Sequence, residues 1–445
     1  MTGQQVRWTA ERLLALAPDA ASRRAGEGLA AADHWSDTGE QGETLWGLCQ
    51  GGGGRTYRTA VDLAGPAYRC DCPSRKSPCK HALGLLLLSA GSGTPAADAR
   101  RPEWVVRWAA DRRARTDAPT ARQAGRAPAD PEAARRRAER RAARIAAGAE
   151  ELEQRLIDLI RVGLAGAERA DGAGWEETAA RMVDAQAPGL ASRVRELAAV
   201  PASGPGWPAR LLAECALLHL LVRAAARTGS LPDPLAATVR ARLGAGTESS
   251  MLLADEEALV GGRFLVLGRR EDQEGRLAVR RIWLRRLRCG RPALLLSYGA
   301  GGRPPELDLP VGAVMDAELA YHPGGAPLRA ALGRRSAAAP GPVPEGIRPA
   351  EALAAYGEAV RHDPWLTSWP VVLAGVVPIP GEGGEGWQLA ESDGEDALPL
   401  HRATGAGRWT LAAVSGGDPL TVFGECGPEG FVPHTVWSEG EAVML

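Results

Sequence analysis

Asparagine is absent from this chain of 445 residues, and only Lys76 and Lys80 among its 53 basic residues are lysines. Phenylalanine occurs 3 times against 13 tryptophans. The scarcity of asparagine and lysine, beside heavy use of alanine, glycine and arginine, suggests the coding bias of a high-GC genome and carries no information about fold. Other absences exclude whole classes of function. There is no G-x-x-x-x-G-K-[ST], so the chain supplies no phosphate-cradling loop of an ATPase. There is no H-E-x-x-H, no G-x-S-x-G and no G-x-G-x-x-G after a strand. The longest apolar run, Leu211 to Val222, carries Glu214 and His219 and falls short of the roughly 20 residues a membrane span needs. Met1 to Ala10 holds Gln4, Gln5 and Arg7 where a signal peptide needs an apolar core. These points predict a soluble, cytoplasmic chain with no membrane partner and no catalytic motif.

What is present is uneven. Formal net charge is -1, but Arg100 to Arg144 holds fourteen arginines against six acids, net +8. Val371 to Leu445 holds eleven acids against two arginines, net -9. The 7 cysteines are an odd number, and three of them fall within "CDCPSRKSPCKH", Cys70 to His81. That clustering argues for a metal site in a reducing compartment and against a disulfide framework.

The cluster reads C-x-C-x₆-C-x-H. Positions i and i+2 of a strand share a face, so Cys70 and Cys72 aim two sulfurs at one ion while Asp71 turns to solvent. Cys79 and His81 cannot both chelate from inside a helix, because two positions are about 200° apart. The helix is therefore predicted to start near His81, with Cys79 in the preceding turn, where the helix dipole favours a thiolate. Three thiolates and one imidazole make a tetrahedral set for a single structural Zn²⁺, leaving a net charge of about -1. Buried cysteines gathered by chance and a redox pair are the alternatives. Lys76 and Lys80 either offset that charge or contact a partner, and both readings stay open. Cys49 is read as a small core residue, as are Cys215, Cys289 and Cys426. His219, on an apolar helix, reads as a core histidine. The acidic pairs Glu256-Glu257 and Glu395-Asp396 read as solvated faces.

Around the cluster, strands are predicted over Thr44–Gln50 and Arg55–Leu63, joined by Gly51 to Gly54, with a third over Ala67–Cys72. A helix is predicted over Ala82–Ala90. Leu152, Leu156, Leu159 and Ile160, then Met182 with Val183, and Val194 with Leu197, mark an all-helical stretch. From Phe264 the period shortens to that of strands. A helix over Ala350–Arg361 precedes a β-meander or small barrel. The fold class is α+β and multidomain. N-terminal helices occupy 1–36, a zinc-finger module 37–95, an arginine-rich linker 96–147, a helical domain 148–245, a β-rich region 255–335, and helix plus meander 349–445.

With these residues in view, "WGLCQGGGG", "VDLAGPAYRCDCPSRKSPCKHALGLLLL" and "LLALAPDAASRRAGEGLAAADHW" resemble a bacterial subgroup of stand-alone SWIM zinc finger proteins. The resemblance covers roughly Trp46 to Ala90. It implies a hairpin-plus-helix finger with Cys70, Cys72, Cys79 and His81 as zinc ligands. It also implies contacts with proteins or DNA, and partners such as a MoxR-type AAA ATPase or a von Willebrand A domain protein. The function expected is a protein-interaction adaptor. The alternative is nucleic-acid binding through the zinc module and Arg100 to Arg144. Candidate contact residues for either are Lys76, Lys80, Arg75, Arg112, Arg113, Arg136 and Arg137.

Overall fold

The computed structural model describes residues 13–14, 17, 20–42, 44–51, 55–63, 67–74, 76, 78–91, 96–97, 99–110, 131–164, 173–274, 277–300, 304–381 and 386–445. Helix α1 (Ala20–Glu27) leads into strands β1 (Trp35–Gln41), β2 (Thr44–Gln50), β3 (Thr56–Asp62) and β4 (Ala67–Cys70), followed by α2 (Lys80–Ala90), β5 (Ala96–Ala97) and helix α3 (103–110). The five strands form one sheet in the order β4-β3-β2-β1-β5. Its two faces alternate along β2, as a pleated strand requires. Leu45 and Cys49 join the cluster around α2, whereas Trp46 packs with Val105 and Trp108 of α3. Both faces are covered, so β2 is buried almost throughout, and so is α2 from His81 to Leu88.

β1 was not expected as a strand. Its sequence, WSDTGEQ, has no apolar alternation, and its pairing with β2 is irregular between Ser36 and Gly39. Its place depends on the next strand. A Cβ at Gly39 would come within 2.3 Å of the Trp46 ring, so only glycine lets that indole lie across β1.

The middle of the chain is helical: α4 (Pro131–Val162), α5 (Ala173–Asp184), α6 (Pro188–Ala199), α7 (Trp207–Ala226) and α8 (Asp233–Arg242). Leu152, Leu156, Met182, Leu190, Val194, Leu211 and Leu218 are in one core. Three expectations fail here. The inward stripe of α4 runs Ile145, Ala149, Leu152, Leu156, Leu159, alternating steps of four and three, so Ile160 falls beside it and is 44% exposed. For the same reason Val183, next to buried Met182, faces out. His219 is not a core histidine: it sits on the flank of α7, its side chain 43% exposed, 3.8 Å from Glu153.

Beyond a short helix α9 (Ser249–Ala254), strands β6 (Leu259–Glu274), β7 (Leu277–Arg286), β8 (Pro292–Ala300), β9 (Ala313–Tyr321), β10 (Ala330–Arg335) and β11 (Ala339–Pro340) build a six-stranded sheet. Helix α10 (Pro349–His362) leads to a second six-stranded sheet of β12 (Trp369–Ile379), β13 (Gln388–Glu391), β14 (Ala397–Pro399), β15 (Leu420–Gly427), β16 (Gly430–Ser438) and β17 (Glu441–Met444), with α11 (Gly407–Ser415) between β14 and β15. A bridge from Leu400 to Phe431 curls this sheet back on itself. Leu265, Leu267, Trp283 and Val314 of the first sheet pack on Val372, Phe423 and Trp437 of the second. Cys289, expected in a core, is exposed in the turn after β7.

The helical and β parts are latched together. Trp365, just after α10, is buried in the helical core, and its indole donates to the Leu217 carbonyl at 2.9 Å. Arg242 meets Asp363 at 2.6 Å beside it. Among the described residues, no helix is long and apolar enough to cross a membrane.

Candidate metal centre

The site is assembled by two short pieces of backbone. β3 and β4 pair with Thr59 opposite Cys70, and the pairing continues one residue further: Asp71 N–H donates to the Arg58 carbonyl at 3.3 Å. Arg58 N–H returns a bond to the Asp71 carboxylate at 2.8 Å. That exchange holds Asp71 outward, and the alternation of an extended chain leaves Cys70 and Cys72 on the same side. The chain then loops back. Cys79 caps α2 with extended dihedrals, φ -76° and ψ 167°, and His81 lies in the first helical turn. Cys79 is therefore outside the helix, which removes the angular conflict with His81.

The donor atoms of Cys70, Cys72, Cys79 and His81 all lie within 4.8 Å of one another. The Cys70 sulfur is 3.6 Å from His81 Nδ1. A tetrahedral zinc with the usual Zn–S and Zn–N lengths separates such a pair by about 3.6 Å, so the spacing matches two ligands on one ion. The donors fit a single structural Zn²⁺ with four protein ligands.

The electrostatics point the same way. The contact with Cys79, then burial, push the Cys70 thiol up to about 12. Burial raises Cys72. Cys79 is lowered by its contact with Cys70, against the effect of its own burial. Packed thiols of this kind cannot all ionise unaided, and a dication supplies the missing charge, since a coordinating thiol is deprotonated outright. Two neighbours complete the setting. Thr59 Oγ1 lies 3.3 Å from the Cys70 sulfur, where it can donate to a thiolate. The Tyr57 ring packs on His81 at 4.9 Å between centroids. Sequence reading missed both, although the β3–β4 register, counted back from Cys70, points to Thr59. Cys49 is buried behind the site, its thiol pushed up to about 11 by burial and then by Cys70.

The other candidates are scattered. Lys76 is exposed in the loop and Lys80 is exposed in the first turn of α2. Arg136 is exposed on α4, far along the chain from the finger, and Arg137 is on the same helix. Arg75, Arg112 and Arg113 lie outside the described residues. A second group, Glu391, Asp393 and Glu395, also brings its carboxylates within 4.8 Å. Arg348 already meets Glu391 at 2.7 Å and Asp393 at 3.1 Å, so a guanidinium provides the countercharge there.

Comparison with known families agrees with this geometry. Residues 60–89 match the SWIM zinc finger, and residues 140–243 match the SWIM-associated four-helix bundle domain. No curated protein and no solved structure matches the chain.

Proposed function

We propose that this chain, which carries a SWIM zinc finger and its associated helical bundle, is a non-catalytic adaptor whose finger presents a surface to a protein partner in the cytoplasm. The zinc site supports this most directly. Four protein donors close the coordination sphere, so the ion offers no open position to a substrate and serves to hold a loop. That loop and the turn after it expose Lys76 and Lys80, which lie within the ligand segment Cys70 to His81. The remainder of the chain behaves as a scaffold, with Trp365 fastening the bundle to the β-rich part. The more specific idea, a partner of the MoxR-type AAA ATPase or von Willebrand A class, rests on the family resemblance.

Nucleic-acid binding through the finger and the arginine segment is the competing reading. Several of those arginines are engaged inside the protein. Arg101 bonds the Gln41 carbonyl at 2.6 Å, and Arg107 meets Glu103 at 2.6 Å. Arg141 bonds the Gly244 carbonyl and Arg144 bonds Gln186. Such bonds hold these arginines against their own modules, which suits a segment folded onto the protein better than one held out for phosphates.

The test is a pull-down with tagged full-length protein, wild type against Lys76→Glu/Lys80→Glu, with and without nuclease. The adaptor reading expects a protein retained after nuclease treatment and lost from the variant, with zinc content unchanged. A catch that disappears with nuclease, and whose affinity falls steeply between about 50 and 200 mM salt, would establish the nucleic-acid reading instead.

A further inference from the structure

The run Arg280 to Arg291 holds six arginines in twelve positions along β7 and the turn after it. Most of them are accounted for. Arg280 meets Glu271 at 2.9 Å and Asp308 at 3.6 Å, and Arg281 pairs with Asp272. Arg285 donates to the Glu345 carbonyl. Arg291 lies over the Tyr321 ring, 3.6 Å from its centroid. Arg286 and Arg288 differ. Among the described residues, no carboxylate lies within ion-pair distance of either, nor of Arg263 on the neighbouring strand. Asp316 stands opposite Arg263 in the ladder and still makes no ion pair with it.

These three arginines line one groove of about 510 Å³, together with Gly261, Gly262 and Leu287. No acid lines it. The backbone keeps the groove in shape: Leu287 N–H donates to the Arg263 carbonyl at 2.9 Å, and Phe264 pairs with Arg286. Arg286 lies over the glycine pair, donating to the Gly261 carbonyl. A Cβ at Gly262 would sit 2.8 Å from Arg286 Nε, so glycine there leaves the guanidinium its place. Arg286 Nε is buried with no hydrogen-bond partner among the protein atoms. Arg101 Nε and Arg408 Nε are also without partners; what sets Arg286 apart is its place in the groove, where an anion would account for the unpaired donor. Arg263 and Arg288 are exposed at the rim.

We propose that this groove binds a phosphate-bearing ligand, with Arg286 as the seated donor and Arg263 and Arg288 as the two arms. Arginine presents planar, paired donors that match phosphate oxygens, and three such cations suit a ligand with two or more phosphate charges. The volume lies in the range of small-ligand sites and exceeds what one carboxylate fills. The phosphate can come from a free nucleotide or from the phosphodiester chain of a nucleic acid. The inference does not rest on the zinc module.

The test uses the full-length, zinc-loaded protein. Inorganic pyrophosphate and ATP are titrated calorimetrically, and a labelled single-stranded oligonucleotide is followed by anisotropy, all at about 50 mM salt. The same titrations are run on Arg263→Ala/Arg288→Ala. Neither side chain makes a bond within the described residues, so the variant should melt like wild type. Saturable binding of at least one probe, weakened at least about tenfold in the variant, is expected. If pyrophosphate and ATP bind and the oligonucleotide does not, the source is a free phosphate compound. If the oligonucleotide binds and pyrophosphate displaces it, the source is a phosphodiester chain. The proposal is overturned if no probe binds saturably below about 1 mM, or if the variant binds as tightly as wild type.

Discussion

Two irregular segments of this chain are held in place by different means. Between β4 and α2, the described residues 71–74, 76 and 78–79 have no helix or strand, and the segment is flanked by donor atoms: Cys70 and Cys72 on one side, Cys79 and His81 on the other. Between α10 and β12, the stretch around Trp365 is equally irregular, but one large side chain holds it, sunk in the core of another module. The first pin is an ion whose energy is concentrated in four bonds and depends on supply of zinc. The second is apolar area plus one hydrogen bond from the indole, and it depends on nothing outside the chain. The difference predicts that the finger can be dismantled without disturbing the helical bundle, whereas loosening the second pin is felt in two modules together.

The largest effect should come from removing the metal. Structural zinc contributes on the order of 10–16 kcal/mol to the folding of small modules. Cys79→Ser, or a strong chelator, should therefore release zinc and abolish hydrogen-exchange protection in α2 and in β3–β4. Protection in α7 and β15 should persist, because their cores contain no residue of the finger. Exchange measured by mass spectrometry separates the two regions. Unchanged protection of α2 in metal-free protein would mean that the leucines of α2 suffice and that the ion is dispensable to the fold.

Next in size is Trp365→Ala. Truncating a buried tryptophan typically costs about 3–5 kcal/mol. Here it also leaves the Leu217 carbonyl without its indole donor. The expected result is a lower melting temperature, with faster exchange in α7 and at the end of α10, while zinc content stays at one ion per chain. Loss of zinc in this variant would contradict the separation drawn between the two pins.

The two pins were also unequally legible. The zinc ligands could be read from spacing, because alternation on a strand and the 100° step of a helix admit few arrangements of C-x-C and C-x-H. Helix α2 and the bundle helices could be read from apolar period. Trp365 could not, since its partner Leu217 is 148 residues away and nothing local marks it. The facing of the two large sheets, with Leu265 and Trp283 against Phe423, is long-range in the same sense. β1 escaped because its residues are polar and its place is set by Trp46. Ile160, Val183, His219 and Cys289 share another cause. Residue type suggests burial, but neighbours on a helix point 100° apart, and a turn such as that of Cys289 exposes whatever it carries.

A finer test of the ionic pin concerns Thr59. Its hydroxyl is 3.3 Å from the Cys70 sulfur, and the residue is fully buried, so no water can take its place at the sulfur without a cavity. With zinc bound, Cys70 is a thiolate and accepts the hydroxyl proton as a hydrogen bond. Groups in this position orient a ligand and spread its charge, and their loss typically weakens metal affinity about 10- to 100-fold. Thr59→Val keeps the branched shape on β3 and removes only the donor. It should lower zinc affinity by roughly tenfold in competition with a chromophoric chelator, leave the melting temperature nearly unchanged at saturating zinc, and be reversed by Thr59→Ser. If Thr59→Val held zinc as tightly as wild type, four ligands alone would account for the pin. If Thr59→Ser were as weak as Thr59→Val, packing of the γ-methyl would be the cause and the hydroxyl would have no part in it.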